Sequence, residues 1–179
     1  ALAREIGMRR EEAHALRGLA TVEEEEGSLN RSRELLEKAR ELFVGIDERG
    51  GAVGVMTALG LQTMLGGRED RAAVELDAAL AEAREAGDRV QEVMAGALRA
   101  CLAGGDAAEA VRLFTELRPT LAVSWRMGVA YYLFRATGEP RFLEDAREGL
   151  AVLRAGVEPD DAAALDEGLR LHREVLRGA

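Results

Sequence analysis

The sequence predicts an all-α fold, in which antiparallel helix pairs stack side by side as an α-solenoid. Apolar residues recur every three or four positions along most of the 179-residue chain, which is the period of one helix face. Corner glycines return at Gly27, Gly67, Gly105 and Gly138, at intervals of 40, 38 and 33 residues. The chain has three prolines and is 47% hydrophobic, so its composition favours long packed helices.

The segment from Ala52 to Gly87 defines the predicted unit, because it contains two apolar helices joined at a Gly66-Gly67 corner. A helix pair of this kind cannot bury its outer surface alone, so further copies are expected to complete the core. The inward faces are formed by Met56, Leu59 and Gly60 in the first helix and by Ala72, Leu76 and Ala79 in the second.

The same signals divide the rest of the chain into one array. Pro119 ends one pair, because proline interrupts helical hydrogen bonding. The final helix has one apolar and one charged side, as expected of a helix that caps a stack. The predicted boundaries are 1–7 for the tail of a truncated repeat, 8–47, 48–88, 89–119 and 120–155 for four helix pairs, and 160–177 for the capping helix.

Residues 1–7 repeat the pattern of residues 79–87, which end a second helix. We therefore expect the chain to begin partway through a helix and to break at Gly7, where the next pair starts. This pattern, together with the absence of an initiator methionine, predicts a piece of a longer protein that has lost part of a repeat upstream.

Composition argues against several classes of function. A formal net charge of −9 and a pI near 4.9 disfavour nucleic-acid binding, which requires a basic face. No apolar run is long enough to predict a membrane span. The single cysteine, Cys101, has no intramolecular partner and falls on an inward helix face, which indicates a core thiol in a reducing compartment.

The motifs that would indicate catalysis or cofactor binding are absent. Glu11 and His14 have the spacing of a carboxylate–histidine metal motif, but one such pair supplies too few ligands. The paired glycines are not followed by the Gly-Lys-Ser/Thr of a phosphate-binding loop. Lys38 is the only lysine and lies on a charged face. We therefore predict no enzyme activity, no cofactor and no metal site.

The four pairs share a pattern of large and small residues and resemble tetratricopeptide repeats. The fourth set departs from this pattern at Arg147, where an apolar residue is usual. The long spacings resemble the variant of about 40 residues found in bacterial regulatory proteins, downstream of a kinase, cyclase or nucleotide-switch domain. The residues at the pattern positions of the four sets are Leu16, Leu19, Ala20, Gly27, Ser32, Leu36 and Ala39; Met56, Leu59, Gly60, Gly67, Ala72, Leu76 and Ala79; Met94, Ala97, Leu98, Gly105, Ala110, Phe114 and Leu117; and Met127, Ala130, Tyr131, Gly138, Leu143, Arg147 and Leu150.

The resemblance implies a right-handed superhelix whose first helices line a concave groove. Arginine pairs with carboxylates, and aromatic rings supply contact area, so the expected guest is a protein or an acidic or C-terminal peptide. The expected setting is the cytoplasm of a bacterium, as the sensor or interaction segment of a regulatory protein. The groove residues would be His14, Arg17, Thr21, Thr57, Leu61, Arg99, Trp125, Tyr132 and Arg135.

Several alternatives stay open. The array could dock on an upstream catalytic domain of its own protein, act as a spacer, or bind a small-molecule effector. In a purely structural array, Trp125 and Tyr132 would cover the core of the fourth pair and the arginines would pair with neighbouring acids such as Glu92. The chain could also self-associate as a homodimer through the exposed edge of its first helix.

Overall fold

A computed structural model describes residues 2–178, apart from the side chains of Ala3, Pro159, Asp160 and Ala163. This part of the chain contains ten helices and no strand, so the prediction of an all-α fold is confirmed. The helices are α1 (Leu2–Glu25), α2 (Leu29–Gly45), α3 (Arg49–Leu65), α4 (Glu69–Ala86), α5 (Arg89–Ala100), α6 (Ala108–Leu117), α7 (Val123–Thr137), α8 (Pro140–Ala155), α9 (Pro159–Gly168) and α10 (Arg170–Arg177).

Helices that are neighbours in sequence pack together in three of the four predicted pairs, α1 with α2, α3 with α4 and α7 with α8. The chain forms two compact units, residues 1–91 and 92–179, and the boundary falls within the first turn of α5. In unit 1, α1 packs on α2, α2 on α3, and α3 on α4. In unit 2, α7 packs on α8, and α10 packs on both α8 and α9. None of the described helices is long and apolar enough to cross a membrane.

Small residues allow the helices of unit 1 to approach closely. A Cβ added at Gly60 of α3 would lie 2.6 Å from Cδ2 of Leu76 in α4, so the leucine fills the space over the glycine. A Cβ at Gly51 would lie 2.4 Å from Cδ1 of Phe43 in α2. Ala39 is fully buried between α2 and its neighbours. Side-chain size at these positions therefore sets the distance between helices.

Unit 2 uses the same device and adds aromatic contacts. A Cβ at Gly149 of α8 would lie 3.0 Å from Cβ of Met127 in α7. Phe114 of α6 and Phe142 of α8 meet edge to face with ring centroids 6.0 Å apart. Tyr131 of α7 is fully buried, although its ring carries a hydroxyl that needs a polar partner.

The corners adopt the left-handed backbone conformation that glycine tolerates best. Gly27, Gly67 and Gly138 have φ values of 81°, 71° and 71°, so these three predicted corners are confirmed. At the remaining corner the left-handed residue is Gly104, with φ 69°, and not Gly105. Gly105 is required for space, because a Cβ there would lie 2.4 Å from the carbonyl oxygen of Arg99.

Two local predictions are wrong. The expected break at Gly7 does not occur, since α1 runs without interruption from Leu2 to Glu25. A glycine inside a helix costs about 1 kcal/mol but does not end it, and an ion pair between Glu5 and Arg9 spans this turn. The helix predicted at 160–177 is two helices, because Leu169 is extended, with φ −110° and ψ 133°.

Candidate functional site

The residues predicted to line a groove fall into two sets, one in each unit. The unit 1 set lies on α1 and α3, and the unit 2 set lies on α5 and α7. We call the first set the α1–α3 surface, defined by His14, Arg17, Thr21, Thr57 and Leu61, and the second set the α5–α7 patch, defined by Arg99, Trp125, Tyr132 and Arg135.

Arg17 connects the two helices of the α1–α3 surface. Its side chain is half-buried, and its Nη1 atom lies 3.2 Å from the position that a Cβ at Gly54 of α3 would occupy. The side-chain Nε2 of Gln91 lies 3.4 Å from the same position. Because Gly54 has no side chain, the guanidinium can lie across α3 beside an amide. Sequence analysis missed Gly54 and Gln91, which no motif distinguishes from other helical residues.

His14 lies one turn before Arg17 and packs against an aromatic ring. Its ring meets Phe43 edge to face at 5.0 Å, and its Nε2 lies 4.0 Å from Oε1 of Glu48. The other oxygen of Glu48 accepts a hydrogen bond from Arg10. His14 thus packs against one ring and has one carboxylate neighbour. The described part of the chain contains no group of three side chains that could hold a metal ion.

The remaining members of the α1–α3 surface differ in exposure. Thr57 is only 4% exposed, and its hydroxyl donates to the carbonyl of Val53 at 3.1 Å, so it lies under the surface and cannot touch a guest. Thr21 is exposed, and its hydroxyl donates to the carbonyl of Arg17 at 3.3 Å. Leu61 is half-buried. The accessible part of this surface is therefore formed by His14, Arg17, Thr21 and Leu61.

The C-terminal helix covers one member of the α5–α7 patch, Tyr132, while Arg135 is exposed. Tyr132 is 3% exposed, and its hydroxyl accepts a hydrogen bond from Nη2 of Arg170 at 3.3 Å. Leu171 of α10 approaches within 3.7 Å of the Cβ position at Gly128 of α7. Tyr132 therefore packs inside unit 2, and its predicted exposure to a guest is wrong.

A chain of polar contacts holds α10 on α7. The Tyr131 hydroxyl bonds with both Arg135 and Glu174, and burial raises the pKa of this hydroxyl. Glu174 also accepts a bond of 2.8 Å from Nη1 of Arg170. Burial alone would lower the pKa of Arg170, but the Tyr132 hydroxyl and the Glu174 carboxylate raise it overall. Both helices therefore contribute charged groups to one shielded network.

Cys101 follows α5 at the edge of this network. Its Sγ lies 3.3 and 3.2 Å from the carbonyl oxygens of Ala97 and Tyr132 and can donate its single proton to either of them. Burial raises the pKa of the thiol to about 11, and the nearby Arg135 offsets this effect only in part. A protonated thiol is a weak nucleophile, which agrees with the predicted structural role.

The other two members of the α5–α7 patch lie at helix ends. Arg99 is half-buried, and its Nη1 donates to the carbonyl of Ala103 at 3.3 Å, just beyond the end of α5. Arg99 therefore satisfies a backbone acceptor after its own helix. Trp125 lies in the first turn of α7 and is half-buried.

A polar network that sequence analysis missed ties together three helices of unit 1. Glu75 of α4 accepts bonds from Arg33 of α2 and Arg71 of α4, each at 2.9 Å, and from Thr63 of α3. Burial acts to raise the pKa of Glu75, but these bonds lower it overall. The sequence predicts only the Arg71–Glu75 contact, because these residues are four apart on one helix. The other contacts join residues of different helices and form only when those helices pack together.

Two shallow clefts adjoin the end of α2. One has a volume of about 210 Å³ and is lined by Arg40, Arg49, Met56 and their neighbours. The other, of about 330 Å³, lies between the start of α1 and the end of α2, and includes Ile6. Val44 borders both clefts. These volumes lie at or below the lower end of the range for small-molecule sites.

Comparisons with known proteins returned no match to a family model, a curated protein or a solved structure.

Proposed function

We propose that this chain is a non-enzymatic scaffold that binds an acidic peptide or protein segment through the α1–α3 surface. The observation that carries this proposal is the position of Arg17, whose guanidinium lies over Gly54 and beside the Gln91 amide. A half-buried guanidinium binds a carboxylate more tightly than an exposed one, because less solvent competes for it. Thr21, one turn after Arg17 on α1, and Leu61, two turns after Gly54 on α3, supply polar and apolar contact area.

The proposal includes a tetratricopeptide-like repeat class and a right-handed solenoid. Two observations support the repeat class. The left-handed corner residues at 27, 67, 104 and 138 recur at intervals of 40, 37 and 34 residues. The tight packing of Leu76 over Gly60 joins two positions of the repeat pattern. Placement in a bacterial, cytoplasmic regulatory protein extends the proposal and rests on the resemblance alone.

The two sets of predicted residues have different roles in this proposal. Arg170 and Leu171 already occupy the face of α7 that contains Tyr132. Arg17 keeps part of its side chain exposed. We therefore assign partner binding to the α1–α3 surface and a structural role to the α5–α7 patch.

A peptide-array screen on the whole chain tests this proposal. We expect peptides with glutamate, aspartate or a free C-terminus to bind, and Arg17→Ala to weaken them about tenfold or more. Arg31→Ala is the matched control, because Arg31 lies on α2 and pairs with Glu34 of its own helix. If Arg17→Ala binds acidic peptides as tightly as the control does, the α1–α3 surface is not the binding site.

A small-molecule effector is the second candidate, because the two clefts meet at Val44. The smaller cleft has both basic and acidic side chains, so its ligand would need charges of both signs; they are Arg40, Arg49, Asp47, Glu48 and Glu82. A thermal-shift screen of charged metabolites tests this role, since a ligand that binds the folded state raises the melting temperature. A screen in which no compound raises the melting temperature would remove this candidate.

A further inference from the structure

Two glycines of α3 lie on the face of that helix which the α1–α3 surface uses. Gly50 and Gly54 are four residues apart, so they point in nearly the same direction and lie about 6 Å apart along the helix axis. Because neither residue has a side chain, the groups that lie over them come from other parts of unit 1. We call these two positions the glycine strip.

Charges of opposite sign lie at the two ends of the glycine strip. At Gly54, Nη1 of Arg17 lies 3.2 Å from the position that a Cβ would occupy, and at Gly50, Oδ2 of Asp88 lies 3.6 Å from the corresponding position. Arg17 belongs to α1 and Asp88 directly precedes α5, so the two charges reach α3 from different elements. Both side chains are half-buried, and neither forms an ion pair with another of the described residues.

A buried amide lies beside Arg17 at this strip. Gln91 is 6% exposed, and its Nε2 lies 3.4 Å from the same Cβ position at Gly54, so two N–H donors converge there. Its Oε1 is buried and has no hydrogen-bond partner. Asp88 holds this residue in place, because Oδ1 of Asp88 accepts a bond of 3.1 Å from the backbone N–H of Gln91. Since a buried amide normally bonds at both ends, the free oxygen indicates a site for a further polar group.

The other charged residues next to these positions in the sequence, or on the same side of α1 as Arg17, have interactions of their own. They are Glu48 with Arg10 and His14, Arg49 with Glu82 and Glu85, and Glu24, Arg89 and Glu92. A segment that binds along the glycine strip therefore meets one cation and one anion in a fixed order, about one helical turn apart.

We propose that the partner segment of the α1–α3 surface is an extended peptide with an acidic and a basic side chain two positions apart. In an extended chain these side chains point to the same side and are about 6.6 Å apart, which matches the spacing along the glycine strip. The acidic group binds Nη1 of Arg17 and Nε2 of Gln91, and the basic group binds Oδ2 of Asp88. This inference rests on the proposed function, and it adds Asp88 and Gln91 as residues that determine specificity.

A set of synthetic peptides tests the charge pattern on the whole chain. Each peptide has a glutamate in a neutral frame and, two positions away on either side, a lysine or an alanine; a further pair has the lysine adjacent to the glutamate. By fluorescence anisotropy at low salt, we expect lysine two positions away, in one of the two orders, to bind about fivefold more tightly than alanine. Adjacent lysine should give no such gain.

Two results would overturn this inference, and they differ in what they mean for the proposed function. If the alanine peptides bind as tightly as the lysine peptides in both orders, the charge pattern is wrong, but the surface still binds acidic peptides. If no peptide binds, the inference and the proposed function are both wrong.

Asp88→Asn tests which residue binds the basic group. Asparagine also caps helices, so the start of α5 should be unchanged. We expect this variant to lose the preference for lysine and to bind the glutamate–alanine peptide about threefold more tightly, because a repelling carboxylate is removed. Unfolding cannot cause tighter binding. Asp106→Asn is the matched control, since Oδ1 of Asp106 accepts a bond of 2.9 Å from the backbone N–H of Ala108 at the start of α6. A preference for lysine that persists in Asp88→Asn would overturn the proposal.

Discussion

The outer faces of α1 in unit 1 and of α7 in unit 2 differ in how far they are buried. In unit 2, α10 folds back on α7, and Arg170 bonds with Tyr132 there. In unit 1, Leu19 and Val22 of α1 are more than half exposed. Both α1 and α7 begin a helix pair with similar apolar spacing. The comparison teaches that a repeat pattern specifies the inside of a pair, while its outer face depends on which segment is available to cover it.

Arg147 of α8 contacts the end of α10 in unit 2. It departs from the repeat pattern, and its guanidinium donates to the carbonyls of Val175 and Leu176, at 3.3 and 3.4 Å. These carbonyls belong to the last turn of α10, where backbone acceptors lack helical partners. The departure from the pattern is therefore explained by the docking of α10.

The variant with the largest expected effect disrupts the packing of unit 1 and leaves the packing of unit 2 unchanged. Gly60→Leu places new atoms where Leu76 now lies, and we expect it to lower the free energy of unfolding by about 3 kcal/mol. Differential scanning calorimetry should show whether one transition moves or both. Gly7→Leu is the control, because a Cβ there meets nothing within 4 Å. Equal melting temperatures for the two variants would contradict the packing argument.

The next largest effect is expected from a variant that weakens the docking of α10 in unit 2. Arg170→Ala leaves Glu174 and the Tyr132 hydroxyl without this donor, so we expect a loss of about 2 kcal/mol. Hydrogen exchange should become faster in α10 than in α7 and α8. Arg177→Ala, at the exposed end of α10, should change exchange little. Unchanged protection of α10 in Arg170→Ala would show that apolar contacts alone hold this helix.

A smaller effect concerns the charged network of unit 1 and depends on pH. The folded-state pKa of Glu75 lies below its ordinary value of 4.5. The ionised Glu75 therefore contributes its full stabilisation to the fold above pH 4.5. This contribution is lost as the pH falls through the pKa that Glu75 has in the folded state. We expect Glu75→Gln to destabilise the chain by about 1 kcal/mol at neutral pH and progressively less below about pH 4.5.

Urea unfolding at several pH values measures this difference. Glu37→Gln is the control, because Glu37 also pairs with Arg33 but its side chain is 55% exposed. If the two variants have the same pH dependence, the network contributes no more than a surface ion pair.

The smallest effect tests the role assigned to Arg147. Arg147→Ala removes a donor from the last turn of α10, and we expect a loss of about 0.5 kcal/mol. Arg147→Leu restores the apolar residue of the repeat pattern but not the donor. In thermal unfolding, the melting temperature of Arg147→Leu should therefore be no higher than that of the unchanged chain. A clear increase in melting temperature would mean that the departure does not serve the docking of α10.

The local features of this fold are predictable from the sequence alone. The helices follow from the three-and-four spacing of apolar residues, and the corners at Gly27, Gly67 and Gly138 follow from the conformational freedom of glycine. The spacing of apolar residues also predicts that Gly60 and Leu76 lie on the facing sides of their two helices. Each of these inferences uses residues that are close in sequence or repeat with a regular period.

Only the tertiary structure decided how residues far apart in sequence meet. The Arg17 side chain reaches Gly54 because α1 and α3 both pack on α2, and Tyr132 is buried because α10 turns back after Leu169. Thr63 joins Arg33 and Glu75 only when three helices are in place. Helical periodicity predicts which face of a helix is apolar, but the partner of that face depends on the packing of the whole unit.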